Sequence, residues 1–178
     1  MPRVLGVPIM PQSLTEATCD FRQHIPNHIP MTSEEQILKD IKNFGWHAMA
    51  VHGNDDHLTY LYTIGLYKTF GFPELFISGL EAPEAFKRIK EIIESLKSGK
   101  QIQPKAENIG ITSNTYCYFD YVDKTTYNAF FSRAVWFYQN NDFPILQYVW
   151  PDRWHCYPWQ ETNGPVENAQ DLLIDIPR

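Results

Sequence analysis

No stretch of this 178-residue chain comes near the run of about 18 apolar residues that a membrane-crossing helix requires, and Pro2, Pro8 and Pro11 break up the short apolar stretch from Val4 to Met10. A basic-then-apolar leader is missing too, so the expected location is cytoplasmic, with no membrane partner. Cysteine is scarce: Cys19, Cys117 and Cys156 are odd in number and widely spaced, a pattern that excludes a disulfide framework and reads as reduced thiols. Positive charge is short as well. Fifteen Lys and Arg stand against 21 Asp and Glu, for a net charge of −6, and the densest basic group is Lys87, Arg88 and Lys90 on one predicted helix. Nucleic-acid phosphate is therefore not the expected partner. Neither a GxxxxGK[ST] nor a GxGxxG motif occurs, which removes the usual glycine-rich phosphate cradles.

What the sequence has in quantity is aromatic side chains: 11 Phe, ten Tyr and five Trp, 15% of the chain. Tyr and Trp carry polar atoms that need partners when buried, so a core built from them is partly polar. The length suits one domain. Residues 1–31 carry five prolines and are predicted to be an extended arm. Residues 32–160 form the predicted domain, and 161–178 a surface tail.

Within the domain, Thr32-Ser33-Glu34-Glu35 opens a helix over 33–44 whose apolar positions Ile37, Leu38, Ile41 and Phe44 precede Gly45. Trp46–Val51 and Leu58–Ile64 read as a β-hairpin around Gly53-Asn54-Asp55-Asp56. Glu74–Ser78 is a short apolar strand. The next helix begins at Pro83, lines one face with Phe86, Ile89, Ile92, Ile93 and Leu96, and ends at Gly99. Tyr116–Val122 is a strand, Tyr127 to Tyr138 a helix with a wide apolar stripe, and Ile145–Trp150 a last strand stopped by Pro151. This order lacks a βαβ rhythm, so the expected fold class is α+β, with an antiparallel or mixed sheet and about three helices mainly on one side.

Six short runs, in order over residues 44–159, carry a resemblance: Phe44-Gly45-Trp46, Tyr62-Thr63-Ile64-Gly65-Leu66, Phe72-Pro73-Glu74-Leu75, Ser78-Gly79-Leu80, Gln147-Tyr148-Val149-Trp150-Pro151-Asp152 and Pro158-Trp159. Together they resemble a bacterial family of unknown function, domain-of-unknown-function family 4262. The resemblance implies a shared fold and no established activity. That family's pattern usually places a glycine between the Asp and the Pro-Trp, where this chain has Trp154-His155-Cys156-Tyr157.

Candidate sites follow from residue chemistry. Gly65 ends a strand and would admit a ligand or another backbone, or simply serve a turn with positive φ. Glu74, at the start of an apolar strand, could act as an acid or base with a raised pKa, or else pair with an Arg or cap backbone amides. Asp152 could orient His155 with Cys156 alongside, or close an aromatic turn by accepting from backbone amides. Cys19, His24 and His28 lack a fourth ligand for zinc, and His47 and His52 face opposite sides of a strand, so no metal site is expected.

Three functions remain open. The first is a binding module for a protein partner or small ligand that uses an aromatic cleft lined by Trp46, Tyr62, Thr63, Gly65, Gln147 and Trp159. The second is a small-molecule enzyme with Glu74, Asp152 and His155 as acid/base groups. The third is a flavin or nucleotide binder, although no cofactor is expected. All three require the Tyr62–Leu66 stretch and the Asp152–Trp159 stretch to share one cleft.

Overall fold

The computed structural model describes residues 34–53, 57–113, 116–160 and 169–176. The predicted arm, with Cys19, His24 and His28, lies outside the described residues, as does Asn54-Asp55-Asp56 of the hairpin turn. Helix α1 (Glu34–Phe44) carries two acids in its first turn, where they complement the positive helix end. It stops at Gly45, whose φ of 88° is a left-handed conformation that glycine adopts without penalty.

Strands β1 (His47–Val51) and β2 (Tyr60–Ile64) pair antiparallel from His47↔Ile64 to Val51↔Tyr60. A five-residue helix α2 (Leu66–Phe70) follows, then β3 (Glu74–Ser78), the long helix α3 (Ala82–Lys97), β4 (Ala106–Ile109), β5 (Tyr116–Tyr121), a 3₁₀ turn, helices α4 (Tyr127–Phe130) and α5 (Ser132–Tyr138), and β6 (Ile145–Val149). The six strands form one mixed sheet in the order β1-β2-β3-β6-β5-β4. Only the β3–β6 pair is parallel, with Glu74↔Ile145 and Phe76↔Gln147.

The α+β class with a mixed sheet is as the sequence predicts. The helices, however, divide between the two faces. Leu75 and Ile77 of β3 pack with Ile89, Ile92 and Ile93 of α3 on one side, whereas Tyr62 and Phe76 meet Ile37 of α1, Tyr127 of α4 and Phe131 on the other. The physical reason is that β2, β3 and β6 are buried at every position, and strands apolar on both faces need cover on both.

The single helix predicted over 127–138 is broken at Phe131, whose φ of −122° and ψ of 34° let its ring enter the core edge-on to Tyr62 and Phe76 at 5.2 and 5.3 Å. Burying such a side chain contributes about 1.5–3 kcal/mol, and Phe131 still donates to the Tyr127 carbonyl and accepts from the Val135 N–H.

Of the predicted surface tail, residues 169–176 are described, and they lie against the sheet. Gln170 and Ile174 are buried, and Leu172 and Leu173 pack against two apolar clusters. Gly79 (φ 75°) lets this segment pass: a Cβ there would stand 1.7 Å from the carbonyl oxygen of Ala169.

Candidate functional site

The strand registers separate the two stretches on which a shared cleft depended. Gly65 follows the end of β2, beside the start of β3, because β2 runs antiparallel to β3 with Tyr60↔Ser78 and Tyr62↔Phe76. Strand β6 runs parallel to β3 from Ile145 beside Glu74, so Trp150-Pro151-Asp152 leave at the opposite end of the sheet. One strand length, roughly 15 Å at about 3.3 Å per residue, divides the ends. The Tyr62–Leu66 and Asp152–Trp159 stretches do not form one wall.

At the first end, Glu74 is fully buried. Its Oε2 accepts from the Thr63 hydroxyl at 2.6 Å, and its Oε1 accepts from the N–H groups of Gly65 (2.8 Å) and Tyr67 (3.2 Å) and from the Tyr138 hydroxyl. Burial pushes its pKa up, and the donors Thr63, Tyr138, Tyr67 and Gly65 pull it back only in part. Thr63 in turn accepts from the Leu75 N–H at 2.9 Å, continuing with a side chain the ladder that ends at Tyr62↔Phe76. The carboxylate therefore ties the backbone entering α2 to the start of β3.

Gly65 has φ 105°, and a Cβ there would lie 2.8 Å from Ile41. Its missing side chain is filled by the protein's own α1 and not by an open pocket. Tyr138 is the member of this cluster that the sequence reading did not single out. Its only signal was its place on the α5 stripe.

At the other end, Asp152 uses one oxygen to accept from the N–H groups of Trp154 (2.8 Å) and Cys156 (2.9 Å), while its own N–H donates to the Cys156 carbonyl. This is a closed turn. His155 is exposed, has φ 64°, and lays its ring on Tyr116 at 5.0 Å. The left-handed position in this loop is thus held by a histidine.

Cys156 is half-buried, whereas Cys117 is fully buried and its thiol is pushed up to about 12 by burial. Tyr157 stacks flat on Trp159 at 5.1 Å, and both meet Tyr118. The Tyr157 hydroxyl donates to Glu107 at 3.0 Å.

The other candidates sit apart. Trp46 is half-buried and stacks on Phe86 at 5.8 Å, on the α3 face. Tyr62 is a core residue. Gln147 is fully buried, and its amide bonds the C-terminal segment. A shallow polar depression of about 380 Å³ lies elsewhere, between the end of α3 and residues 110–113. There Ser95 donates to the Ile111 carbonyl and Lys100 to that of Gly110, so these groups already pin the loop. Among the described residues no three His, Cys, Asp or Glu side chains are grouped to hold a metal ion, and no described helix is long and apolar enough to cross a membrane.

Exposed apolar side chains gather beside the Asp152 turn. Trp154 is 58% exposed and Ile109, on the edge strand β4, is 65% exposed. Ile109 pairs across the ladder with Tyr116, which carries the His155 ring, and the Arg153 guanidinium lies 3.9 Å over the Trp154 ring. Ile109 was not singled out by the sequence reading, because an exposed edge position has no periodic signature, and Tyr116 was read only as the start of a strand.

The fold and this surface define an α+β domain with a three-layered core and an aromatic patch at one end of its sheet. The chain belongs to the family described as a domain of unknown function (DUF4262), whose model matches residues 40–163. It matches no curated protein and no solved structure.

Proposed function

We propose that the protein is a protein-binding module whose contact surface is the aromatic patch around Trp154, with His155, Tyr116 and Ile109. One observation carries this reading: a tryptophan more than half exposed is held on a rigid turn, with Asp152 bonding two of the turn's N–H groups. A large aromatic fixed in place loses little entropy on binding, and such residues are what interface hot spots use. Of the acid/base candidates, Glu74 is engaged at both oxygens and Asp152 at one. Both Glu74 oxygens accept from protein donors, and the Asp152 carboxylate bonds backbone amides and not His155.

The test compares partners retained by the tagged wild-type chain with those retained by Trp154→Ala and Ile109→Ser. A partner lost from both variants, with Tm within about 2 °C of wild type as expected of surface changes, supports the reading. Retention of every partner by both variants refutes it.

A further inference from the structure

Residues Gln170–Ile174 are held against the sheet by side chains, with no strand ladder. Gln147, fully buried in the middle of β6, donates from Nε2 to the Asp171 carbonyl at 2.6 Å and accepts the Leu173 N–H at 2.8 Å. Those are the carbonyl of one residue and the N–H two residues on, the pair that an extended peptide presents along one edge. Ser78 does likewise, accepting the Asp171 N–H (3.0 Å) while its hydroxyl donates to the Asp171 carbonyl (3.1 Å). The Asp123 N–H also donates to the Leu173 carbonyl.

All these bonds read main chain and are indifferent to sequence. Three further features are selective, the first being the Gln170 amide, which accepts from the Trp150 N–H and donates to the Trp150 carbonyl. The Leu58 N–H donates to the Asp171 carboxylate at 2.9 Å, and Leu172 and Ile174 enter the cluster walled by Val149, Tyr118, Tyr157 and Trp159.

Without this segment Gln147 and Ser78 would exchange these bonds for bonds to water, and the apolar wall of Val149, Tyr118, Tyr157 and Trp159 would be exposed. The chain's own segment over residues 170–174 covers this face.

We propose that this groove is a peptide-binding site, that residues 170–174 are its built-in occupant, and that a partner protein enters by displacing them with an extended segment carrying an acidic residue followed by aliphatic ones. This deepens the binding-module reading and rests on it, since Tyr157 and Trp159 of the aromatic loop form one wall of the groove. A tethered occupant competes at an effective concentration of order millimolar, so the tether sets a threshold that only a well-matched partner passes.

The experiment introduces a specific protease site between Gln160 and Ala169 of the full chain and cuts it after purification. A fluorescein-labelled peptide with the sequence of residues 169–176 is then titrated against cut and uncut protein, read by anisotropy. Saturable binding to the cut protein, at least tenfold weaker for the uncut one, is expected. Gln147→Leu in the cut protein, and Asp171→Ala in the peptide, should each weaken binding at least fivefold. The peptide change keeps the test decisive if Gln147→Leu fails to fold.

The proposal is overturned if cut protein with unchanged circular dichroism binds no peptide at millimolar concentration, or if cutting unfolds the domain, which would make the segment an integral part of the core. It is also overturned if the uncut chain forms a concentration-dependent dimer that cutting abolishes, which would identify a second copy as the occupant. Anisotropy reads the groove and partner capture by Trp154→Ala reads the outer patch, so failure of one is distinguishable from failure of the other.

Discussion

Replacing Glu74 separates a structural carboxylate from a catalytic one. Glu74→Ala removes the acceptor for four donors. Two of these bonds, from the Gly65 N–H and the Thr63 hydroxyl, are fully buried, whereas Tyr67 and Tyr138 retain partial access to water. At about 1–3 kcal/mol for each stranded buried donor the loss is about 2–6 kcal/mol. With about 2–4 °C of Tm per kcal/mol for a chain of this size, the midpoint should fall by roughly 10 °C. Glu74→Gln keeps an acceptor for the three donors at Oε1 and loses only the bond from Thr63, so it should cost about 1–2 kcal/mol.

The pH dependence has a definite sign. Burial raises the folded-state pKa above the ordinary value of 4.5, so between that value and the folded one the native state holds more protons than the unfolded chain. Stability from this group is therefore full below 4.5 and is lost as pH rises through the folded pKa. Urea titrations monitored by circular dichroism over that range should show this decline in the wild type and its absence in Glu74→Gln. A Glu74→Ala midpoint within about 2 °C of wild type would refute the account, because it would leave less than about 1 kcal/mol for the whole network.

Other changes test other parts of the molecule. Gly79→Ala forces a Cβ to within 1.7 Å of the Ala169 carbonyl oxygen at φ 75°. It should destabilise by more than the ~1–2 kcal/mol of a left-handed alanine alone, and proteolysis should release the C-terminal segment. His155→Gly, at φ 64°, should leave the Tm unchanged or raise it by a few degrees in a thermal melt, since glycine adopts this conformation without strain. His155→Val should lower it. In thiol labelling, Cys117, buried with a pKa near 12, should react only when urea unfolds the chain, whereas half-exposed Cys156 should react in the native protein.

Elements with strong local patterns were legible in the sequence. The strand over 74–78 has the predicted bounds, and the α1 and α3 stripes put Ile37, Ile89, Ile92 and Ile93 in the core. Strand β4 was not legible. Ala-Glu-Asn-Ile has little β propensity, and its pairing with β5 is imposed by the rest of the fold. Helix α2 is five residues long between Gly65 and Gly71, both at positive φ, too short for a period to show. The parallel β3–β6 pair joins strands some seventy residues apart, which no local signal reports. For Glu74 and Asp152 alike, the backbone-capping alternative describes the geometry. What the sequence could not convey was direction: a parallel β6 carries its trailing loop away from Glu74.

Several buried polar side chains of this sheet bond backbone, and how far along the chain the partner lies distinguishes a fastener from a receptor. Glu74 and Thr63 bond backbone at Gly65, Tyr67 and Leu75, and Asn108 bonds backbone at Gln103 and Ala106. In each of these pairs the partner lies within 12 residues along the chain, so the bond fixes a local turn that no other molecule can replace. Gln147 and Ser78 also bond backbone, but their partners lie 24 and 93 residues away, in a terminal segment that contributes no strand to the sheet. Only the receptor's partner is supplied by a remote stretch that a second chain could imitate, which is why the sheet face around Gln147, and not the more chemical-looking Glu74, is where recognition beyond the Trp154 patch is to be sought.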